Sequence, residues 1–144
     1  MKAIIQRVTS ASVDIDNKEI ASINNGMLIL LGIHKNDTEK ESNYIIKKLI
    51  NLRIFSDENN LMNKSIVEVG GEILIVSQFT LYGSVKKGNR PSFTETMPPK
   101  EAEEFYNKFI KQLKANFPTK TGKFGAYMKV KLVNDGPITI LIDS

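Results

Sequence analysis

Ser77-Gln78-Phe79-Thr80 places two hydroxyls and a carboxamide inside an otherwise apolar run from Ile73 to Leu81. Such a run reads as a strand covered on both faces, where each unpaired polar group costs about 1 to 3 kcal/mol. Because side chains alternate along a strand, Ile73, Ile75, Ser77 and Phe79 share one face, and Leu74, Val76, Gln78, Thr80 and Tyr82 the other. Gln78 and Thr80 are then neighbours. They can satisfy backbone groups at a strand end, or they can donate hydrogen bonds to a substrate carbonyl and hold a water molecule. Stronger engines are poorly supplied. The single imidazole, His34, closes the run Met27 to Ile33 and has no sequence tie to Ser77 or Thr80, so it reads as a loop residue rather than the base of a Ser-His-Asp triad. Without cysteine there is no thiolate nucleophile, and one histidine leaves no ligand spacing for zinc. No metal or cofactor is called for.

A second polar cluster, Asn134-Asp135-Gly136-Pro137-Ile138-Thr139, joins two alternating runs, Met128 to Val133 and Ile138 to Ile142. Asp-Gly between such runs is a hairpin signal. Pro137 complicates it, since proline removes a donor and fixes φ where a hairpin ladder begins.

Taken together, Ser-Gln-Phe-Thr-Leu-Tyr-Gly at 77 to 83 and Asn-Asp-Gly-Pro-Ile-Thr at 134 to 139 resemble the two signature segments of the D-aminoacyl-tRNA deacylase family. The opening Met1-Lys2-Ala3-Ile4-Ile5-Gln6-Arg7-Val8 and the loop Gly88-Asn89-Arg90-Pro91-Ser92-Phe93 extend the resemblance over the whole chain. It implies a homodimeric editing hydrolase that cleaves the ester between a D-amino acid and the terminal ribose of tRNA. Ser77, Gln78, Phe79 and Thr80 would line the pocket of one subunit. Gly136 and Pro137 would reach in from the other through a cis bond, their carbonyl oxygens leaving no room for an L side chain. A glycyl ester, lacking a side chain, would pass the same filter.

The elements that must position these residues can also be read. Residues 2 to 9 and 11 to 16 alternate as strands, followed by Glu19 to Ile23 and Met27 to Ile33, with Asn25-Gly26 predicting a hairpin turn between the last two. Thr38 and Glu41 have capping-box spacing at the start of a helix carrying Ile45, Leu49 and Leu52. Gly70-Gly71 turns the chain into the strand of the first motif. A second helix opens at Pro98-Pro99, acidic early and basic late, with Ala102, Phe105, Tyr106, Phe109, Leu113 and Phe117 as a stripe that reads as core. Strands linked by hairpins predict an α+β fold, mainly antiparallel sheets in a barrel-like arrangement with two main helices packed outside.

At 144 residues the chain is expected to form one domain over 1–144. Hydrophobic content of 41% and charged content of 25% are those of an ordinary globular protein, and no apolar stretch approaches the roughly 20 residues that span a bilayer. The absence of cysteine and of a signal-peptide core fits a cytoplasmic protein. Net charge of +4 mildly favours a polyanionic partner. Lys86, Lys87 and Arg90, in the loop leaving the Thr80 segment, are the candidate contacts to tRNA phosphates. Lys114, Lys120, Lys123, Lys129 and Lys131 read as a solvated face. Two rival functions share these features: a non-catalytic nucleic-acid-binding module, and a small-molecule esterase or amidase for which tRNA is dispensable.

Overall fold

The computed structural model spans Met1 to Ser144 and contains one six-stranded sheet, a two-stranded ribbon and two helices. Its axis is β1 (Lys2–Ile15), a continuous strand where two were predicted. One edge of β1 pairs along its whole length with β8 (Lys129–Asp143). The other edge pairs first with β2 (Lys18–Ile23) and then with β3 (Gly26–Gly32). Asp16 and Asn17, with φ of 49° and 62°, form the two-residue turn between β1 and β2, as a type I′ hairpin demands.

No hairpin forms at Asn25-Gly26. Ala11 faces Ile23 and Val8 faces Gly26, so β2 and β3 continue one register along the same edge of β1, with only a bend at Asn24 and Asn25. Gly26 is there for close approach. A Cβ at this position would fall far inside van der Waals contact with the Glu72 carbonyl oxygen, while Glu72 N donates to Asn25 O at 3.0 Å.

β6 (Glu72–Ser77) lies parallel to β3, and β7 (Thr119–Thr121) lies parallel to β6. The first crossover runs through α1 (Glu39–Asn51) and the ribbon of β4 (Phe55–Ser56) and β5 (Met62–Lys64); the second runs through α2 (Pro99–Asn116). The antiparallel pairings of β1 still dominate, and the sheet curls until it is nearly closed into a barrel. At the closing edge Lys120 Nζ donates to Ser22 O at 2.6 Å and pairs with Glu72 at 3.1 Å.

The alternation of β6 divides the core as its sequence implies. Ile73 and Ile75 join Ile5, Met27 and Ile29 beneath Ile45 and Leu49 of α1 and Tyr106, Phe109 and Leu113 of α2. Leu74 and Val76 fill the opposite side with Val8, Ala11, Val13, Ile23 and Leu28. Both helices begin where the sequence places them. Thr38 and Glu41 form the reciprocal capping box, and Pro99 opens α2. No helix is long and apolar enough to cross a membrane.

The Asn134–Thr139 segment is not a hairpin either. β8 runs straight through it, with Val133 opposite Ser10, Asn134 opposite Val8, and Thr139 opposite Gln6. Residues 135–138 bulge out against the single position Arg7. Pro137 has no N–H to give to a ladder and Gly136 sits at φ +121°, so the strand pairs on either side and leaves the register between.

Candidate active site

β6 ends at Ser77, not at Leu81. Its partner β3 stops at Gly32; after the last ladder bond, Gln78 N to Leu31 O at 2.8 Å, the chain folds back as one 3₁₀ turn over Phe79–Tyr82. Leu81 then covers Gly32, where a Cβ would stand 3.1 Å from the Leu81 Cβ. The motif is therefore a strand end followed by a turn. Its polar side chains are not buried: Ser77 and Gln78 are half-buried, and Phe79 and Thr80 are exposed. Gln78 and Thr80 are nevertheless partners, because Gln78 Nε2 donates to Thr80 Oγ1 across the start of the turn.

This turn forms one wall of a cavity of about 520 Å³, to which Ser77, Gln78 and Phe79 contribute. Val76 and Met128 floor it, and Phe93, the Thr96–Pro99 segment and Ala102 of α2 face it. Phe93 packs edge-on against Phe79, ring centroids 5.0 Å apart. The remaining wall is the loop Phe124–Tyr127, turned by Gly125 at φ +70°. Sequence reading missed this loop. Its signal was the run Phe-Gly-Ala-Tyr-Met between lysines, apolar yet following no helical or strand period; Tyr127, 88% exposed, stands at the rim.

His34 takes no part in this wall. Its Nε2 lies 3.2 Å from Glu95 Oε2, its Nδ1 accepts from Asn36 N at 3.2 Å, and its ring lies 5.2 Å from that of Tyr82. Both ring nitrogens are thus engaged away from Ser77 and Thr80. Hydrogen bonds from Lys35 and then His34 hold the Glu95 carboxyl below its ordinary range, so the three form a surface polar knot.

Gly136 and Pro137, joined by a cis peptide bond, lie on the β8 bulge and do not line this cavity. Both are exposed. The bulge is fixed from behind. Arg7 Nε pairs with Asp135 Oδ2 at 2.9 Å while Arg7 Nη1 donates to Ile54 O at 2.8 Å, and Asn134 Nδ2 donates to Ile138 O at 3.0 Å. The chain thus gathers Ser77, Gln78 and Phe79 at a cavity with Thr80 beside them, and presents Gly136 and Pro137 outward elsewhere.

A family model described as D-Tyr-tRNA(Tyr) deacylase matches residues 4–143. The chain belongs to that family. The D-aminoacyl-tRNA deacylase of Clostridium botulinum (strain Loch Maree / Type A3) is 54% identical over 145 residues, covering all of this chain and 97% of the relative. That of Thermosipho africanus is 51% identical over 145 residues with the same coverage. A solved structure named c-Myc DNA Unwinding Element Binding Protein has 48% identity and a TM-score of 0.95, covering 100% of this chain and 99% of that one. The deacylase-family match takes in both motifs, the cavity walls and the basic loop. In that loop Lys86, Lys87 and Arg90 are exposed and pair with no carboxylate. Paired backbone bonds between Ser84 and Ser92, 2.8 and 2.9 Å, close the loop's neck one residue before Phe93 of the cavity wall.

Proposed function

We propose that this protein is a cytoplasmic D-aminoacyl-tRNA deacylase, a carboxylic ester hydrolase that releases free D-amino acid and tRNA and spares L-aminoacyl-tRNA. The full-length family match, with the Ser77–Thr80 turn on the wall of a cavity large enough for an aminoacyl-adenosine end, carries this reading. The working unit is a homodimer, each cavity completed by Gly136 and Pro137 of the other subunit. That pair is exposed and absent from its own cavity, which leaves it free to serve a second copy. Chirality is judged by main-chain carbonyls that exclude an L side chain, so a glycyl ester is also cleaved.

The chemistry needs no triad. An aminoacyl ester is activated, and aiming donors at the developing oxyanion while fixing a water molecule suffices to accelerate its hydrolysis. The Gln78 carboxamide and the N–H groups of Phe79 and Thr80 are the donors. The first N–H groups of a helical turn have no intrahelical acceptor and so are available. Thr80 positions rather than attacks, since its hydroxyl already accepts from Gln78 and has no base beside it. The neighbouring ribose hydroxyl of tRNA assists the proton transfer. Lys86, Lys87 and Arg90 hold phosphates of the acceptor end.

The test offers D-tyrosyl-tRNA, L-tyrosyl-tRNA and D-tyrosine ethyl ester to the pure protein. Rapid turnover of the first alone is expected. Equal cleavage of the free ester would make this a small-molecule esterase. One observation favours a second reading: a neighbour of 48% identity is named for binding DNA, and the basic loop is unpaired. A binding module predicts steeply salt-dependent association with tRNA and no turnover.

A further inference from the structure

The bulge that presents Gly136 and Pro137 is closed by one side chain. Asn134, the last residue in register before the bulge, reaches over it: Nδ2 donates to Ile138 O at 3.0 Å and lies 3.4 Å from Thr139 Oγ1, where register resumes. Gln6 Nε2 reaches the same Thr139 hydroxyl at 3.4 Å from β1. These contacts fix the carboxamide's orientation, since a flipped amide would set its oxygen against the Ile138 carbonyl. Asn134 Oδ1 is then enclosed without any donor. An unsatisfied buried carbonyl is destabilising, so asparagine is a poor choice here for stability alone. The Arg7–Asp135 pair anchors the bulge at one point, and the β1 ladder holds its flanks at Val8 and Gln6 without setting the path of the four residues between. The Asn134 side chain runs directly from one end to the other.

We propose that Asn134 is a positioning residue for chiral discrimination: its carboxamide clamps the ends of the 134–138 loop and so fixes where the carbonyls of Gly136 and Pro137 stand. The inference rests on the proposed role of those two residues in excluding L substrates. A looser bulge lets the carbonyls recede, which admits an L side chain while leaving the Ser77–Thr80 donors in place. Selectivity, not rate toward the D ester, is what the clamp sets.

The discriminating variant is Asn134→Asp, equal in size but unable, when ionised, to donate to Ile138 O. The quantity is the ratio of kcat/KM for D-tyrosyl-tRNA to that for L-tyrosyl-tRNA, measured on the full-length protein with folding checked by thermal melt. Loss of one net hydrogen bond predicts a fall of about tenfold in this ratio, through a gain on the L substrate. Lowering the pH toward the introduced carboxyl's own range protonates it and restores a donor, so the ratio should climb back toward that of the parent. A merely structural lesion would show no such recovery. Asn134→Ala, which carries no charge, should lower the ratio similarly and without pH recovery, and it serves if the aspartate variant does not fold. Equal losses on D and L substrates, or an unchanged ratio in both variants, would overturn the inference. Gly136→Ala is measured alongside. If it too leaves the ratio unchanged, the reading of the bulge as the chiral filter fails; if it shifts the ratio while both Asn134 variants do not, only the clamp fails.

Discussion

Gln78 and Thr80 are the pair on which the proposed chemistry turns, and the structure alters what each can do. Read as strand neighbours they would be buried and mutually redundant; at the start of a 3₁₀ turn they form a short relay in which the carboxamide holds the hydroxyl and both stay reachable from solvent. If Thr80 positions a water molecule, Thr80→Ala should lower single-turnover cleavage of D-tyrosyl-tRNA by about 10- to 100-fold, the scale of a misplaced reactant. A nucleophile's removal costs far more, on the order of 10⁴-fold or beyond. Thr80→Ser should keep most activity. Gln78→Ala should resemble Thr80→Ala, and the double variant should be little worse than either, because the two act as one unit. Additive losses would separate them. At this scale the sequence was informative about identity and pairing but not about exposure, since nothing within residues 73–82 shows that β3 runs out at Gly32.

At the scale of elements, both supposed hairpins failed for one physical reason. Asn-Gly and Asp-Gly are local turn signals only when the glycine is needed for its own φ within a two-residue loop. Gly26 is needed because Glu72 of β6 packs against it, and Gly136 because a bulge interrupts a strand that both flanking runs share. Those partners are distant in sequence and invisible to a local reading, whereas helix periodicity and the capping box are local and were legible. A prediction separates the two kinds of glycine. Gly26→Ala must move backbone against backbone and should cost about 3 kcal/mol, the upper end of overpacking penalties. Gly88→Ala, at φ +81° with nothing within 4 Å of the added Cβ, should cost only the conformational penalty of about 1 to 2 kcal/mol. Urea midpoints at constant slope give both values, and similar costs would refute the close-approach account of Gly26. The capping box supplies a pH-dependent counterpart. The Thr38 hydroxyl and its backbone N–H hold the Glu41 carboxyl down from 4.5 to about 2. A depressed acid contributes stability that is complete above its unfolded value and is lost as pH falls through its folded one. The first turn of α1 should therefore loosen between about pH 4.5 and 2. Protection of the amides at the start of α1, taken relative to the intrinsic exchange rate at each pH, should fall over that window in the parent, and Glu41→Gln should remove this response.

The molecule as a whole presents a cavity with a basic loop leaving its wall, and a protruding bulge that does not line that cavity. Phe79 at 59% exposed and Val133 and Leu141 at 56% and 59% are large apolar groups left open beside the two motifs, as a surface meeting a second copy would leave them. No reading of one chain's periodicity could show that, because a position open to solvent and one that a second copy would cover alternate identically along a strand. The proposed dimer predicts sedimentation at twice the 16.2 kDa chain mass, and a species of single-chain mass at working concentration would overturn it. The basic loop then makes a separable prediction. Lys86, Lys87 and Arg90 lie outside the cavity but leave its wall through Phe93, so they can act on the tRNA body without touching the ester. Each phosphate contact contributes roughly 0.7 to 0.9 to the slope of log affinity against log salt. Replacing all three with glutamine should flatten that slope by about 2 and weaken binding of every tRNA alike, as phosphate contacts carry no sequence information. Cleavage of a D-tyrosyl ester of adenosine alone, which has no acceptor stem, should be unaffected by the same substitutions. A parent-like salt slope would remove the loop from the tRNA path, and a matching loss on the adenosine ester would mean that it shapes the cavity instead.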